Sequence, residues 1–133
     1  MFDSFEKYSG MWNPLTLEEF LEIHEGMLKS SEGDEDAAEI FEELLQAAFT
    51  YADIRAKWSL MSREEKMEID ETRTMKHDAL IVKFNKLARY QKMQGRDISW
   101  RERLGYTEDE PANRRRIGDF ACWLAFTAGI CAR

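Results

Sequence analysis

The sequence has little of what breaks helices or crosslinks chains, with only two prolines and two cysteines among 133 residues. The prolines, Pro14 and Pro111, lie near the two ends, so nothing forces a break in a long helix between them. No segment alternates apolar and polar side chains in the way that a half-buried strand does. These absences argue against a β-rich fold and favour helices.

Cysteine is too scarce and too widely spaced for a disulfide framework. Cys122 and Cys131 are nine residues apart, which on one helix separates them by about 13 Å along the axis. A disulfide needs much closer Cα atoms. Two free thiols are typical of a reducing compartment, so we expect a cytoplasmic protein in which both are small apolar side chains.

A secretory leader and a membrane span are also missing from the pattern. The first residues mix acidic and apolar side chains, without the basic and then apolar segments of a signal peptide. The longest apolar stretch, 117–132, contains Asp119 and is shorter than the roughly 20 residues that cross a bilayer. We therefore expect no membrane partner and interpret this stretch as a buried helix.

Charge is distributed unevenly along the chain. Residues 1–54 contain 14 Asp and Glu and only two Lys, whereas residues 55–133 contain 12 acidic and 17 basic residues. The formal net charge of −7 hides this split, which makes the two ends complementary to each other or to different partners. The acidic balance argues against nucleic-acid binding, although Tyr90 and Trp100 lie among the basic residues.

Apolar residues at three- and four-residue spacing predict an all-α fold, a compact bundle of four to five helices. Three capping boxes mark helix starts; they are Thr16 with Glu19, Ser62 with Glu65, and Ser99 with Glu102. The second box opens one long central helix over about 62–93, of which the second half, 79–93, is apolar on most of its circumference. We expect a single domain, 1–133, with the aromatic-rich residues 1–15 as an N-terminal arm.

Two helices offer surfaces that the bundle does not obviously cover. In the polar first half of the long helix, Met67 and Met75 are isolated apolar side chains. The last helix carries Trp123 and Phe126 opposite its core face, and an oligomer interface is a natural cover for such a second face. With Trp12 of the arm, these are the expected interface residues.

Two histidines and three glutamates are the candidates for metal chemistry. His24 and His77 lie on predicted core-facing surfaces, but neither belongs to the Glu-x-x-His pattern of di-iron bundles, so we expect no metal and no cofactor. Glu18, Glu19 and Glu22 match the first half of the carboxylate motif with which all-α nucleotide pyrophosphatases hold magnesium. The second half of that motif is missing.

Asp119 is the one acidic residue within the apolar stretch 117–132. A buried carboxylate must be paired. Arg115 and Arg116 lie one turn upstream, and Arg101 or Arg103 could reach across from another element. We expect Asp119 to form a buried structural ion pair with one of these arginines.

Two short segments of the C-terminal half, 97–102 with the sequence DISWRE and 117–124 with the sequence IGDFACWL, precede an Ala-Arg end. Residues 77–133, which contain them, resemble small uncharacterised helical proteins of Gram-positive bacteria and of their phages or mobile elements. No activity is attached to that group. The resemblance therefore implies a bacterial or phage origin and carries over no functional residue.

No complete catalytic constellation is present, since neither a glycine-rich phosphate loop nor a Ser-His-Asp or Cys-His arrangement occurs. We therefore expect a non-catalytic interaction protein that self-associates, with a dimer favoured, or that binds a protein partner. Two alternatives stay open. One is an acidic phage-type inhibitor that mimics the charge of nucleic acid, and the other is a metal-dependent nucleotide hydrolase of the all-α type.

Overall fold

The computed structural model describes residues 15–107, 110–111 and 114–129. The helices in these ranges are α1 (Leu17–Ser31), α2 (Glu35–Trp58), α3 (Arg63–Met93), α4 (Ser99–Arg103) and α5 (Arg114–Thr127). A two-residue antiparallel pairing of β1 (Tyr106–Thr107) with β2 (Glu110–Pro111) precedes α5. The predicted all-α bundle is confirmed. Over the described ranges, no helix combines the length and the apolar character needed to cross a membrane.

Polar side chains cap the first three helices. The capping boxes at Thr16 and Ser62 form as predicted, each with the glutamate three residues later. Asp34 caps α2, because its Oδ1 accepts from the backbone N–H groups of Asp36 and Ala37. These local bonds satisfy donors that a helix leaves free at its start.

The third predicted capping box is wrong. Ser99 lies inside α4, and the residue at the cap position is Ile98, which makes no side-chain cap bond. The carboxylate of Asp97 instead accepts from the backbone N–H of Ser99 at 3.0 Å and from its hydroxyl at 2.9 Å. An aspartate two residues upstream therefore takes the place of the glutamate expected three residues downstream.

The buried side chains form one hydrophobic cluster between the helices. α2 packs most extensively against α3 and α5, while α1 packs mainly against α4 and touches α5. Phe120 of α5 contacts Phe20 of α1 and Phe84 of α3, with ring centroids 4.9 and 5.4 Å apart. All three rings are fully buried, so Phe120 connects three helices through the centre of the core.

α3 is one continuous helix of 31 residues, and only one of its faces is buried. The buried residues run from His77 to Gln91, among them Leu80, Phe84 and Leu87. Although the second half, 79–93, is apolar on most of its circumference, the bundle does not cover all of these sides, since Val82 and Met93 are exposed. α2 covers one side of α3, and the opposite side stays open within the described part of the chain.

The apolar residues of α1 recur at three- and four-residue spacing and form a stripe that is only half buried. Phe20 and Met27 of that stripe are buried together with Ile23. The exposed members are Leu17, Leu21 and Leu28. Because α1 packs mainly on the short α4, the sector of α1 that is buried is narrower than the sector that its apolar residues occupy.

A buried glutamine ties α1, α3 and α4 together. Gln91 is fully buried, and its amide nitrogen donates to the hydroxyl of Ser31 at 2.7 Å. Its amide oxygen accepts from the indole N–H of Trp100 at 2.9 Å. Because a buried amide is costly unless it is hydrogen-bonded, Gln91 fixes how the three helices meet.

Candidate functional site

Asp119 of α5 forms a buried ion pair with Arg55 of α2. Nη2 of Arg55 lies 2.6 Å from Oδ1 of Asp119, and the backbone N–H of Leu15 donates to Oδ2 at 3.1 Å. The sequence pattern favoured a partner one turn upstream of Asp119 or on another element, whereas the partner Arg55 belongs to α2. Gly118 makes this possible, because a Cβ there would lie only 2.9 Å from Nη1 of Arg55.

Of the two arginines expected one turn upstream of Asp119, Arg116 binds other elements. Arg116 is buried, and its Nη2 donates to Glu19 and to the backbone carbonyl of Arg103, both at 2.9 Å. Partial burial and the positive charge of Arg55 lower the pKa of Arg115, while Asp119 acts in the opposite sense. Arg116 therefore joins α5 to α1 and α4, and Arg115 lies in the field of the Arg55–Asp119 pair.

The two histidines lie among aromatic rings. His24 stacks on Phe20 with ring centroids 5.3 Å apart and also contacts Phe41. Burial lowers the pKa of His24, which favours its neutral form. His77 is buried and meets Tyr51 edge-on, with ring centroids 4.9 Å apart. Across the residues that the structure describes, no group of three or more His, Cys, Asp or Glu could hold a metal ion.

The acidic first half of the sequence and the basic second half meet in the fold through ion pairs. Acidic residues of α1 and α2, or of the loop between them, bind basic residues far along the chain. The pairs are Glu19–Arg116, Glu22–Arg103, Asp34–Arg96, and Glu43 with both Lys83 and Lys86. The two halves of the chain therefore dock on each other through their opposite charges, and part of the acidic surface is neutralised internally.

A groove of about 330 Å³ lies between α2 and α3. Its lining includes Glu43, Lys83 and Thr50. Glu43 is bound to Lys83 at 2.7 Å, and the Thr50 hydroxyl donates to the backbone of its own helix. The ion pair of Glu43 with Lys83 thus joins α2 to α3 across this groove, and Thr50 is bonded within α2.

The aromatic pair on α5, Trp123 and Phe126, is only partly exposed to solvent. Trp123 is half-buried against the hydrophobic cluster, and its indole N–H donates to the backbone carbonyl of Leu15 at 3.0 Å. Phe126 is exposed, and its ring contacts Trp123 with centroids 6.0 Å apart. Trp123 is therefore a packing residue as much as a surface one. The third aromatic candidate, Trp12, lies outside the described residues.

A line of exposed apolar side chains runs along α3. Met67, Met75, Val82 and Met93 are 73%, 62%, 57% and 83% exposed. At about 100° per residue, they fall in one sector of the helix about 100° wide, roughly opposite the buried face. We call the exposed residues of this sector the outward stripe.

The sequence pattern indicated two of the four apolar residues in the outward stripe. Met67 and Met75 were expected at an interface, because each stands alone among polar residues. Val82 and Met93 were missed, because they lie within an apolar segment that resembles core on every side. The exposed neighbours Lys86 and Arg89 were the signal that this side of the second half faces outward.

Comparisons of the chain with protein family models, with curated proteins and with solved structures find no match. A proposal about function must therefore rest on the contacts that the described residues make. In the described residues, most of the ion pairs join different elements, and exposed apolar side chains lie along one sector of α3.

Proposed function

We propose that this chain is a non-catalytic helical interaction protein that self-associates or binds a protein partner through an exposed helix face. The outward stripe is the observation that carries this proposal. Single exposed apolar residues are ordinary on a protein surface, and these four support an interaction surface because they share one sector of a single helix.

The ion pairs at the helix contacts support a structural role for the charged side chains that form them. Asp119 is bound to Arg55, Glu19 to Arg116, and Asp34 to Arg96. Catalytic acids and bases need an ionisable group that is free to exchange a proton with a substrate. Paired carboxylates and arginines at helix contacts instead fix the packing of the bundle.

Sedimentation velocity over a series of protein concentrations tests self-association. We expect the wild-type chain to shift from monomer to a larger species as concentration rises. A variant that carries Met67→Gln, Met75→Gln, Val82→Gln and Met93→Gln should remain monomeric, because it loses the exposed apolar area that association would bury.

A matched control uses exposed apolar residues from a different helix. The variant Leu17→Gln, Leu21→Gln, Leu28→Gln removes exposed leucines of α1 and should associate like the wild type. A wild-type chain that stays strictly monomeric at the highest concentration would contradict self-association. Loss of association in the α1 variant alone would place the contact on α1 and contradict the assignment to α3.

A further inference from the structure

The charges of the outward stripe are ordered along α3. In the N-terminal part of the stripe they are acidic, and these residues are Glu64, Glu68, Glu71 and Asp78. In the C-terminal part they are basic, and these residues are Lys86 and Arg89. All six are exposed, so one end of the stripe is complementary in charge to the other.

We propose that two copies of the chain pair through their outward stripes with the α3 helices antiparallel, about a two-fold axis that passes between Asp78 and Ala79. The inference rests on the proposed self-association and gives it a geometry. A two-fold axis makes each copy present the same surface to the other. The acidic end of one stripe then meets the basic end of its partner.

The spacing of the stripe residues places complementary side chains opposite each other. The facing pairs are Met75 with Val82, Glu71 with Lys86, and Glu68 with Arg89, which lie 3.5, 7.5 and 10.5 residues on either side of the axis. The two-fold axis repeats each pair, so the apolar contacts near the middle are flanked by ion pairs on both sides. The two copies of Asp78 meet next to the axis and are the one like-charged contact of this arrangement. Oppositely charged flanking residues are what sets partner orientation in paired helices.

A parallel arrangement of the same two faces is unfavourable. It would set Glu68 and Glu71 against the same acidic residues of the second copy, and Lys86 and Arg89 against the same basic residues. Like charges at an interface cost free energy and suppress that orientation. The charge order therefore favours the antiparallel pair over the parallel one.

Lys86 can pair with Glu71 of the second copy at little cost in stability to its own chain. It lies 3.0 Å from Glu43, and its side chain is 46% exposed. Glu43 keeps Lys83 at 2.7 Å when Lys86 turns outward. An exposed ion pair of this kind is worth at most about 1 kcal/mol, so its rearrangement does not oppose pairing.

The chemistry of the stripe makes the pairing weak and sensitive to salt. α3 is about 45 Å long, but its outward face carries only four large apolar side chains. Obligate dimers bury larger and more hydrophobic surfaces. Exposed ion pairs are screened at high ionic strength, so we expect dissociation as salt is added.

Charge reversal tests the pairing. One variant, Lys86→Glu with Arg89→Glu, makes the stripe acidic throughout, and a second, Glu68→Arg with Glu71→Lys, leaves only Glu64 and Asp78 as its acidic residues. We expect each variant alone to lose association at least tenfold, because the facing charges now repel. An equal mixture of the two should associate again, and so should the chain that carries all four substitutions.

The variant Glu25→Lys with Glu39→Arg is the matched control. It reverses two exposed charges on α1 and α2 and should associate like the wild type. Circular dichroism of every variant separates loss of association from loss of fold. Should a reversal variant unfold, two single-label variants test the geometry without changing stripe charges. One carries Met67→Cys and the other Met93→Cys, each in a chain with Cys122→Ser and Cys131→Ser, and each cysteine is labelled with a nitroxide.

The two label positions give different distances for the two orientations. In the antiparallel pair the symmetry-related labels at residue 67 lie about 35 Å apart along the axis, and those at residue 93 about 43 Å apart. In a parallel pair both distances fall to about 10 Å, the separation of packed helices.

The outcomes separate this inference from the function on which it rests. Association that survives either charge reversal, or label distances near 10 Å, overturns the antiparallel pairing and leaves self-association standing. A wild-type chain that is monomeric at every concentration and salt overturns self-association itself. Restored association in the mixture, with long label distances, supports both.

Discussion

At the scale of single residues, the contact between α2 and α5 depends on a missing side chain. A Cβ at Gly118 would lie 2.9 Å from Nη1 of Arg55 and 3.0 Å from the hydroxyl of Tyr51. These distances are shorter than ordinary packing allows. Glycine at this position therefore lets Arg55 reach the carboxylate of Asp119.

We predict that Gly118→Ala destabilises the fold by about 1–3 kcal/mol, because the added methyl group forces the side chains of Arg55 and Tyr51 away from α5. Urea unfolding measures the change. Gly26→Ala in α1 is the control, since its Cβ would meet Trp100 at an ordinary 3.6 Å and alanine favours a helix by up to about 1 kcal/mol. If both variants are equally stable, the close approach at Gly118 does not constrain the fold.

Asp119→Ala should cost more, about 3 kcal/mol or above, because it leaves Arg55 largely buried without its partner. The exposed pair Asp53–Lys57 provides the comparison. Asp53→Ala should change the free energy of unfolding by less than about 1 kcal/mol. Equal losses in the two variants would show that the buried pair contributes no more than a surface pair.

At the scale of elements, what could be predicted from the sequence is what forms within a few residues. The caps at Thr16 and Ser62 and the length of α3 follow from local patterns, and the structure confirms them. The exposure of Val82 was missed because it depends on which side of α3 is covered by α2, and only the neighbours Lys86 and Arg89 indicate that side in the sequence. The partner of Asp119 was missed for the same reason, since Arg55 is distant in sequence and near only in the fold.

The N-terminal half of α3 depends on its cap more than the buried half does. Ser62→Ala removes the bond from the hydroxyl of Ser62 to the backbone of Glu65 and should cost about 1 kcal/mol. Hydrogen exchange should speed up mainly in residues 63–75. Thr72→Ala, an exposed change within the same segment, should leave exchange unchanged or slower, and faster exchange in that control would point to general loosening of α3.

At the scale of the whole molecule, the charge split serves to bring the two halves of the chain together. Asp34 binds Arg96 at 2.7 Å and accepts from the Tyr90 hydroxyl at the same distance. The Tyr90 bond, a backbone bond and Arg96 together lower the pKa of Asp34 to about 2. The loop between α1 and α2 is thereby fastened to the C-terminal end of α3.

This contact predicts a loss of stability in acid. Because the pKa of Asp34 is lower in the folded chain than its ordinary value of 3.8, its contribution is present above about pH 4 and is lost as the pH falls towards 2. Urea unfolding from pH 5 to pH 2 should therefore show a steeper decline for the wild type than for Asp34→Asn, which keeps a capping side chain. Parallel declines would mean that Asp34 does not stabilise the docked halves.

The acidic and basic ends of the outward stripe on α3 are complementary in the same way, and this complementarity underlies the proposed self-association. Its most direct measurement is sedimentation equilibrium of the full chain at low and at high salt, over a range of concentrations. We predict a reversible dimer at low salt that dissociates as the ionic strength rises. A single species of monomer mass under every condition would contradict the account.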